Sequence, residues 1–247
     1  MLLELHEQYT IDCLKKIDNI DDKMAIEILK GSFVNDLCEL TNEYTKVNNL
    51  LKKYLQKKKE KGLLDYSPFY QSHWGKLSAL HCMSNVNNES PEVTQKNILN
   101  WLDFLEFLIF NVDVTILNTK VNEFQHLLGT SVGELKFKIS SLLDTHDVFE
   151  AKYRAMGMII HMIEDSYTVS HCYRDELAIV AFYYYSEQSS TKHKNNDFVL
   201  EENVEQMLGN INDVLIRLLG GNTASSYYQE IFNISTSALP SSHGGFK

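Results

Sequence analysis

Between His161 and Arg174 the chain reads His-Met-Ile-Glu-Asp-Ser-Tyr-Thr-Val-Ser-His-Cys-Tyr-Arg, directly behind the apolar run Ala155 to Ile160. These fourteen residues hold two histidines, two carboxylates and an arginine. Polar and charged groups are costly to bury without partners. A fold that takes this stretch inside must therefore bring partners to it or bind a cation there. On a helix, His161 and Asp165 are one turn apart and face the same way. His171 follows ten residues after His161; if the helix continues, it lies about 15 Å further along the axis. One ion cannot be shared across that span, so the stretch predicts at least two metals, or one metal and a structural histidine. Imidazole and carboxylate without thiolate suit zinc in a hydrolytic site, where an open position activates water. The competing reading is a satisfied core His161 with Asp165 and Arg174 as a buried ion pair.

The rest of the chain favours helices. Three prolines and eleven glycines stand against much Leu, Lys, Glu and Asn, a balance that suits long helices over strands and turns. Apolar residues at steps of three and four predict a helix over 2–30, or two shorter ones split at Asp18–Asp22, and a second over 33–58. The second ends in the solvated run Lys57–Lys61 and Gly62. Asp65–Tyr70 reads as a loop because of Pro68. A helical pattern resumes over 73–83. Ser90 caps, and Pro91 opens, a helix over 91–112 that is apolar almost all round and is expected at the centre of the core. Further helices are expected near 116–128, 132–143, 146–163, 175–185, 199–219 and 222–233. The expected fold is all-α: a single compact multi-helix domain over 1–234 around a metal-binding cleft, then a flexible tail over 235–247.

The net charge of −10 argues against a nonspecific surface for duplex nucleic acid. No apolar run is long enough to span a bilayer. No basic, then apolar, then small-residue leader opens the sequence, so the protein is expected in the cytoplasm, exported without such a leader, or already processed. Cys13, Cys38, Cys82 and Cys172 form no Cys-x-x-Cys pair and read as free buried thiols.

Other candidate ligands lie along the chain. His193 and Asp197 repeat the His-x-x-x-carboxylate spacing in a polar segment. His81 sits in an apolar helical pattern with Asp65 sixteen residues before it, and His6 lies on the apolar side of the first helix. A separate possibility is a helical phosphohydrolase built on the adjacent His146 and Asp147 with His126.

With these residues in view, the sequence resembles the zinc-dependent phospholipase C and single-strand nuclease superfamily, all-helical enzymes with a three-zinc cluster in a cleft. The superfamily's central pattern of His, Asp four residues later and His six after that is met by His161, Asp165 and His171. Its downstream pair is met by His193 and Asp197, its N-terminal histidine by His6, and its Asp-then-His pair by Asp65 and His81, with His73 a rival for the latter. The run Asp165-Ser166 to His171 and Arg174 is especially similar to bacterial phospholipase C members. The matches span positions 6 to 197 as scattered ligands. The chain departs from the pattern in two ways: Met1 to Leu5 precede His6 where the superfamily has a metal-binding N-terminal tryptophan, and the interval from His81 to His161 is longer.

The resemblance implies one zinc on Asp65, His81, His161 and a bridging Asp165, a second on His171, His193 and Asp197, and a third on His6 and Asp165, giving two or three ions. It implies that Asp65 orients or deprotonates the attacking water and that Arg174 contacts the phosphate; separately, Tyr66 and its aromatic neighbours read as groups that meet the substrate or as packing residues. The activity implied is phospholipase C cleavage of a phospholipid such as phosphatidylcholine at a membrane surface or in micelles. A nuclease or nucleotidase with the same metals, and a metal-stabilised interaction module without catalysis, are the alternatives.

Overall fold

The structure is a computed structural model and describes residues 3–18, 20–37, 68, 71–72, 75–129, 132–175, 178–184, 193 and 195–242. It is mostly helical, but it is not all-α: a three-stranded sheet accompanies the helices. The long helices are α1 (Leu3–Leu14), α2 (Asp22–Leu37), α3 (Pro91–Asn111), α4 (Val148–Ser166) and α5 (Glu201–Leu219). Short turns of helix fill 114–128 and 139–142 where longer helices were expected, and Ser225–Ile231 forms a final short one. No helix among the described residues is long and apolar enough to cross a membrane.

The N-terminal segment divides between Leu14, where α1 ends, and Asp22, where α2 begins, which is the shorter-helix alternative. The expected break near residue 31 is absent, because α2 runs through Gly31 and Ser32 to Leu37. Ser90 accepts a hydrogen bond from the Val93 amide and Pro91 takes the first turn of α3, as the sequence indicates. The central position belongs to α4 rather than α3. From Tyr153 to Ser166 every residue of α4 is buried, whereas Phe110 of α3 is 43% exposed.

Two glycines set how closely α2 and α4 approach. A Cβ on Gly157 would stand 2.0 Å from the Ile28 carbonyl oxygen, and one on Gly31 would stand 2.2 Å from the Arg154 carbonyl oxygen. Neither position tolerates a side chain without moving backbone. The contact lays the C-terminal half of α2, with Ser32 and Asp36, along His161.

Arg154 ties the same seam together. Its Nε donates to Glu27 at 2.8 Å and its other nitrogens to Glu150 at 3.1 Å, to the Leu143 carbonyl at 3.3 Å and to the Asp144 carbonyl. Burial pushes the Glu27 carboxyl up, but Lys30 and Arg154 outweigh it and hold it below its ordinary value of 4.5. A depressed folded-state pKa contributes stability that is complete above the ordinary value and is lost as pH falls through the lowered one. Glu27→Gln should therefore cost about 3 kcal/mol at neutral pH by leaving buried Arg154 short of a partner. It should cost progressively less as pH falls below 4.5. Thermal melts of both proteins across that range would test this; a cost independent of pH would refute it.

The sheet corrects two expectations. The segment 175–185 was expected to be helical, yet β1 (Cys172–Asp175) and β2 (Ala178–Tyr183) form an antiparallel hairpin. The run Ala178-Ile-Val-Ala-Phe-Tyr183 is short, β-branched and aromatic, which periodicity alone cannot assign. Residues 235–242 are not a loose tail: β3 (Ile234–Ser242) pairs parallel to β2 as the edge strand, where Pro240 is tolerated. The part of the predicted 33–58 helix beyond Leu37, the lysine run, the 65–70 loop apart from Pro68, and the last five residues lie outside the described residues.

Candidate metal centre

The site is assembled where α4 stops. Asp147 caps its start, its carboxylate accepting from the Glu150 amide. That accounts for Asp147 in structural terms, and His146 and His126 are both exposed. At the other end no glycine or proline halts the helix. Ser166 Oγ donates to the Ile163 carbonyl at 2.7 Å, Thr168 Oγ1 donates to the Glu164 carbonyl at 3.1 Å, and Arg174 Nε donates to the Ser166 carbonyl at 2.7 Å. These side chains satisfy carbonyls that a helix end leaves unpaired. Arg174 also donates to the Ile231 carbonyl at 2.8 Å and lies over the Tyr167 ring at 4.2 Å.

Because α4 ends at Ser166, His171 does not lie a further 15 Å along a helix. The chain turns back, with the His171 amide donating to the Thr168 carbonyl at 3.0 Å, and places His171 Nδ1 3.2 Å from Asp165 Oδ2. Axial distance along a helix therefore does not separate His171 from His161 and gives no reason for two metals.

Asp165 is fully buried at the middle of four imidazoles. Its Oδ2 lies 2.9 Å from His161 Nε2, 3.0 Å from His81 Nδ1 and 3.2 Å from His171 Nδ1, and its Oδ1 lies 3.5 Å from His6 Nε2. The nitrogens of His161 and His81 stand 3.1 Å apart. A fifth histidine continues the row: the His193 ring stacks on His171 at 5.1 Å, and Asp197 Oδ1 lies 3.7 Å from both. Ser170 Oγ donates to that oxygen at 2.8 Å.

Asp36 completes the cluster and was missed in the sequence. Its carboxylate reaches 3.8 Å from His81 Nδ1 and 3.8 Å from His6 Nε2. Burial opposes its charge, but His161, His81 and His6 outweigh burial and bring it down to about 2. Asp65, Tyr66 and the rival His73 lie outside the described residues. The other predicted ligands, His6, His81, His161, Asp165, His171, His193 and Asp197, are brought together.

These donors can hold a metal ion. Two ligands on one tetrahedral zinc, each at about 2.0–2.1 Å, stand about 3.3 Å apart, and the separations above bracket that figure. Four triads have donor atoms within 4.8 Å of one another: His6, His161, Asp165; Asp36, His81, His161; His81, Asp165, His171; and His171, His193, Asp197. Buried polar atoms are nearly always hydrogen-bonded, yet His6 Nε2, Asp36 Oδ2 and His171 Nδ1 are buried and make no hydrogen bond among the described residues. All three point into the cluster. His161 Nδ1 donates to the Ser32 carbonyl at 2.8 Å, which fixes the tautomer and leaves Nε2 as the donor to a metal.

Electrostatics divide the histidines. Burial and the neighbouring His171 push His193 down to about 3, so it is neutral, the form that ligates. Burial also lowers His6, but Glu164 outweighs it and the ring is raised to about 9. For Asp165, burial opposes the charge and His161 and His171 prevail, holding the carboxyl well below its usual range. Of the cysteines, Cys13, Cys82 and Cys172 are described and none belongs to these groups; Cys38 lies outside the described residues. Cys82 Sγ donates to the Met162 carbonyl at 2.7 Å and Cys172 Sγ donates to the Cys82 carbonyl at 3.3 Å. Burial raises Cys13 and Cys172 to about 12 and Cys82 well above its ordinary value. All three are free, buried thiols.

Compared with known protein families, curated proteins and solved structures, the chain matches none.

Proposed function

We propose that this protein is a zinc-dependent phosphodiester hydrolase of the phospholipase C type, cleaving the glycerol–phosphate bond of a phospholipid such as phosphatidylcholine. The observation that carries the reading is the convergence on Asp165 of histidines from separate parts of the chain, with a second group at His171, His193 and Asp197. The proposal assigns one zinc to His81, His161, Asp165 and Asp36, and another to His171, His193 and Asp197. A third falls to His6 and Asp165. The resemblance in the sequence supports these ligands apart from Asp36, which takes the place that the resemblance gives to Asp65.

Bound zinc supplies Lewis acidity toward a phosphoryl oxygen and lowers the pKa of a bound water. The protein's own residues do the rest. The Ser32 carbonyl and Ser170 hydroxyl fix the orientation of His161 and Asp197. The role of accepting a proton from the attacking water stays with Asp65, as the resemblance implies, while Asp36, with 17% of its side chain exposed, helps to hold the ion.

Metal analysis with paired assays tests the reading. The purified protein is expected to hold two or three zinc ions. It should hydrolyse a chromogenic choline phosphodiester, lose that activity to a chelator and regain it with zinc. Single-stranded DNA in parallel distinguishes the nuclease alternative, which would replace the lipase assignment if only DNA were cut. Less than one zinc per chain would overturn the proposal outright, and bound zinc with neither substrate cleaved would favour an interaction module.

A further inference from the structure

Glu164 stands beside Asp165 in sequence but points the other way, to α1, and it is as deeply buried as any residue in the protein. Its Oε2 lies 2.5 Å from His6 Nδ1, and its Oε1 accepts from Thr10 Oγ1 at 3.2 Å. His6 and Thr10 are also fully buried. The opposite nitrogen, His6 Nε2, makes no hydrogen bond among the described residues and faces Asp165 and Asp36 at 3.5 and 3.8 Å. One side of the ring is thus occupied by a carboxylate and the other is directed at the cluster.

We propose that Glu164 is the positioning residue that makes His6 a metal ligand, accepting a hydrogen bond from Nδ1–H so that the proton stays on Nδ1 and Nε2 presents its lone pair to the ion beside Asp165, with Thr10 holding the glutamate in place. The proposal rests on the metal reading above. A carboxylate behind an imidazole fixes its tautomer and ring plane and raises its basicity as a ligand. His161 is instead backed by a neutral carbonyl, that of Ser32. The two histidines stack at 4.3 Å, yet they carry different partners, so the His6 ion depends on Glu164 in a way the His161 ion does not.

The test compares wild type, Glu164→Gln, Thr10→Val and His6→Ala by zinc titration against a competing chelator and by the visible spectrum of the cobalt-loaded proteins. Glu164→Gln should weaken one ion about 10- to 100-fold, the same ion that His6→Ala loses, and should shift the cobalt bands. Thr10→Val should act in the same direction by less. Circular dichroism of the metal-free proteins checks that each variant is folded; if Glu164→Gln does not fold, Thr10→Val carries the test. A folded variant with wild-type zinc affinity and an unchanged cobalt spectrum would overturn this role alone. Wild type that binds no metal would instead overturn the metal reading, and this inference with it.

Discussion

Asp165→Asn is expected to strip the bound metal and abolish phosphodiesterase activity together, by a factor on the order of 10³ or more. The size follows from the several kcal/mol that metal stabilisation supplies, at about 1.4 kcal/mol per tenfold in rate. Four imidazoles lie around this one carboxylate. Asparagine keeps its shape but replaces one oxygen with an amide that donates hydrogen bonds and cannot ligate. The variant should also lose part of the acid sensitivity of the metal-free protein. A carboxyl held well below its usual range by His161 and His171, against its burial, adds stability above its ordinary pKa that disappears as pH falls through the lowered value. Zinc analysis, the choline phosphodiester assay and melts from neutral to acid pH would follow all three effects. Retention of both metal and activity within tenfold of wild type would rule out a bridging role.

Gly157→Ala should do nearly as much damage from a position with no chemistry of its own. The added methyl would meet the Ile28 carbonyl oxygen at 2.0 Å and the Ser32 amide nitrogen at 2.6 Å, both backbone atoms. Overpacking of that kind costs about 3 kcal/mol or more. Relief would require α2 to move away from α4, taking with it the Ser32 carbonyl that orients His161 and the Asp36 carboxylate. Zinc affinity should therefore fall along with stability. Gly209 in α5 provides the opposite case, because nothing lies within 4 Å of its missing Cβ. Gly209→Ala should stabilise by up to about 1 kcal/mol and leave zinc binding untouched. Denaturant unfolding and zinc titration of the two variants would measure this contrast; equal behaviour would mean that the α2–α4 crossing does not position the site.

The candidate ligands that could be read in the sequence are those whose spacing is helical or that sit in unexpected polarity. His161 and Asp165 are one turn apart on α4, and His193 and Asp197 have the same spacing. Asp36 gave no such signal. Val34-Asn-Asp36 is an ordinary stretch of helix, and the expected break near residue 31 separated it from the pattern that shows which way α2 faces. The end of α4 was equally silent, because serine, threonine and a distant arginine make the stop in place of glycine. The sheet was obscured for a different reason. β2 is a short apolar run that fits a buried strand or a helix, and β3 follows a parallel pairing that only tertiary structure reveals.

The cluster draws on α1, α2, the 3₁₀ turn Ser78–His81, the end of α4, the turn that carries His171, and the pair His193 and Asp197. A cation held among them would act on chain entropy as a cross-link does, closing loops that together enclose most of the sequence. It would also bind only at the end of folding. A chain that has packed α4 alone offers His161 and Asp165, too few donors to retain an ion, and the remaining ligands arrive only with the segments from both ends. Metal loading would thus serve as proofreading, marking molecules that have assembled from His6 through Asp197 and leaving incomplete ones empty.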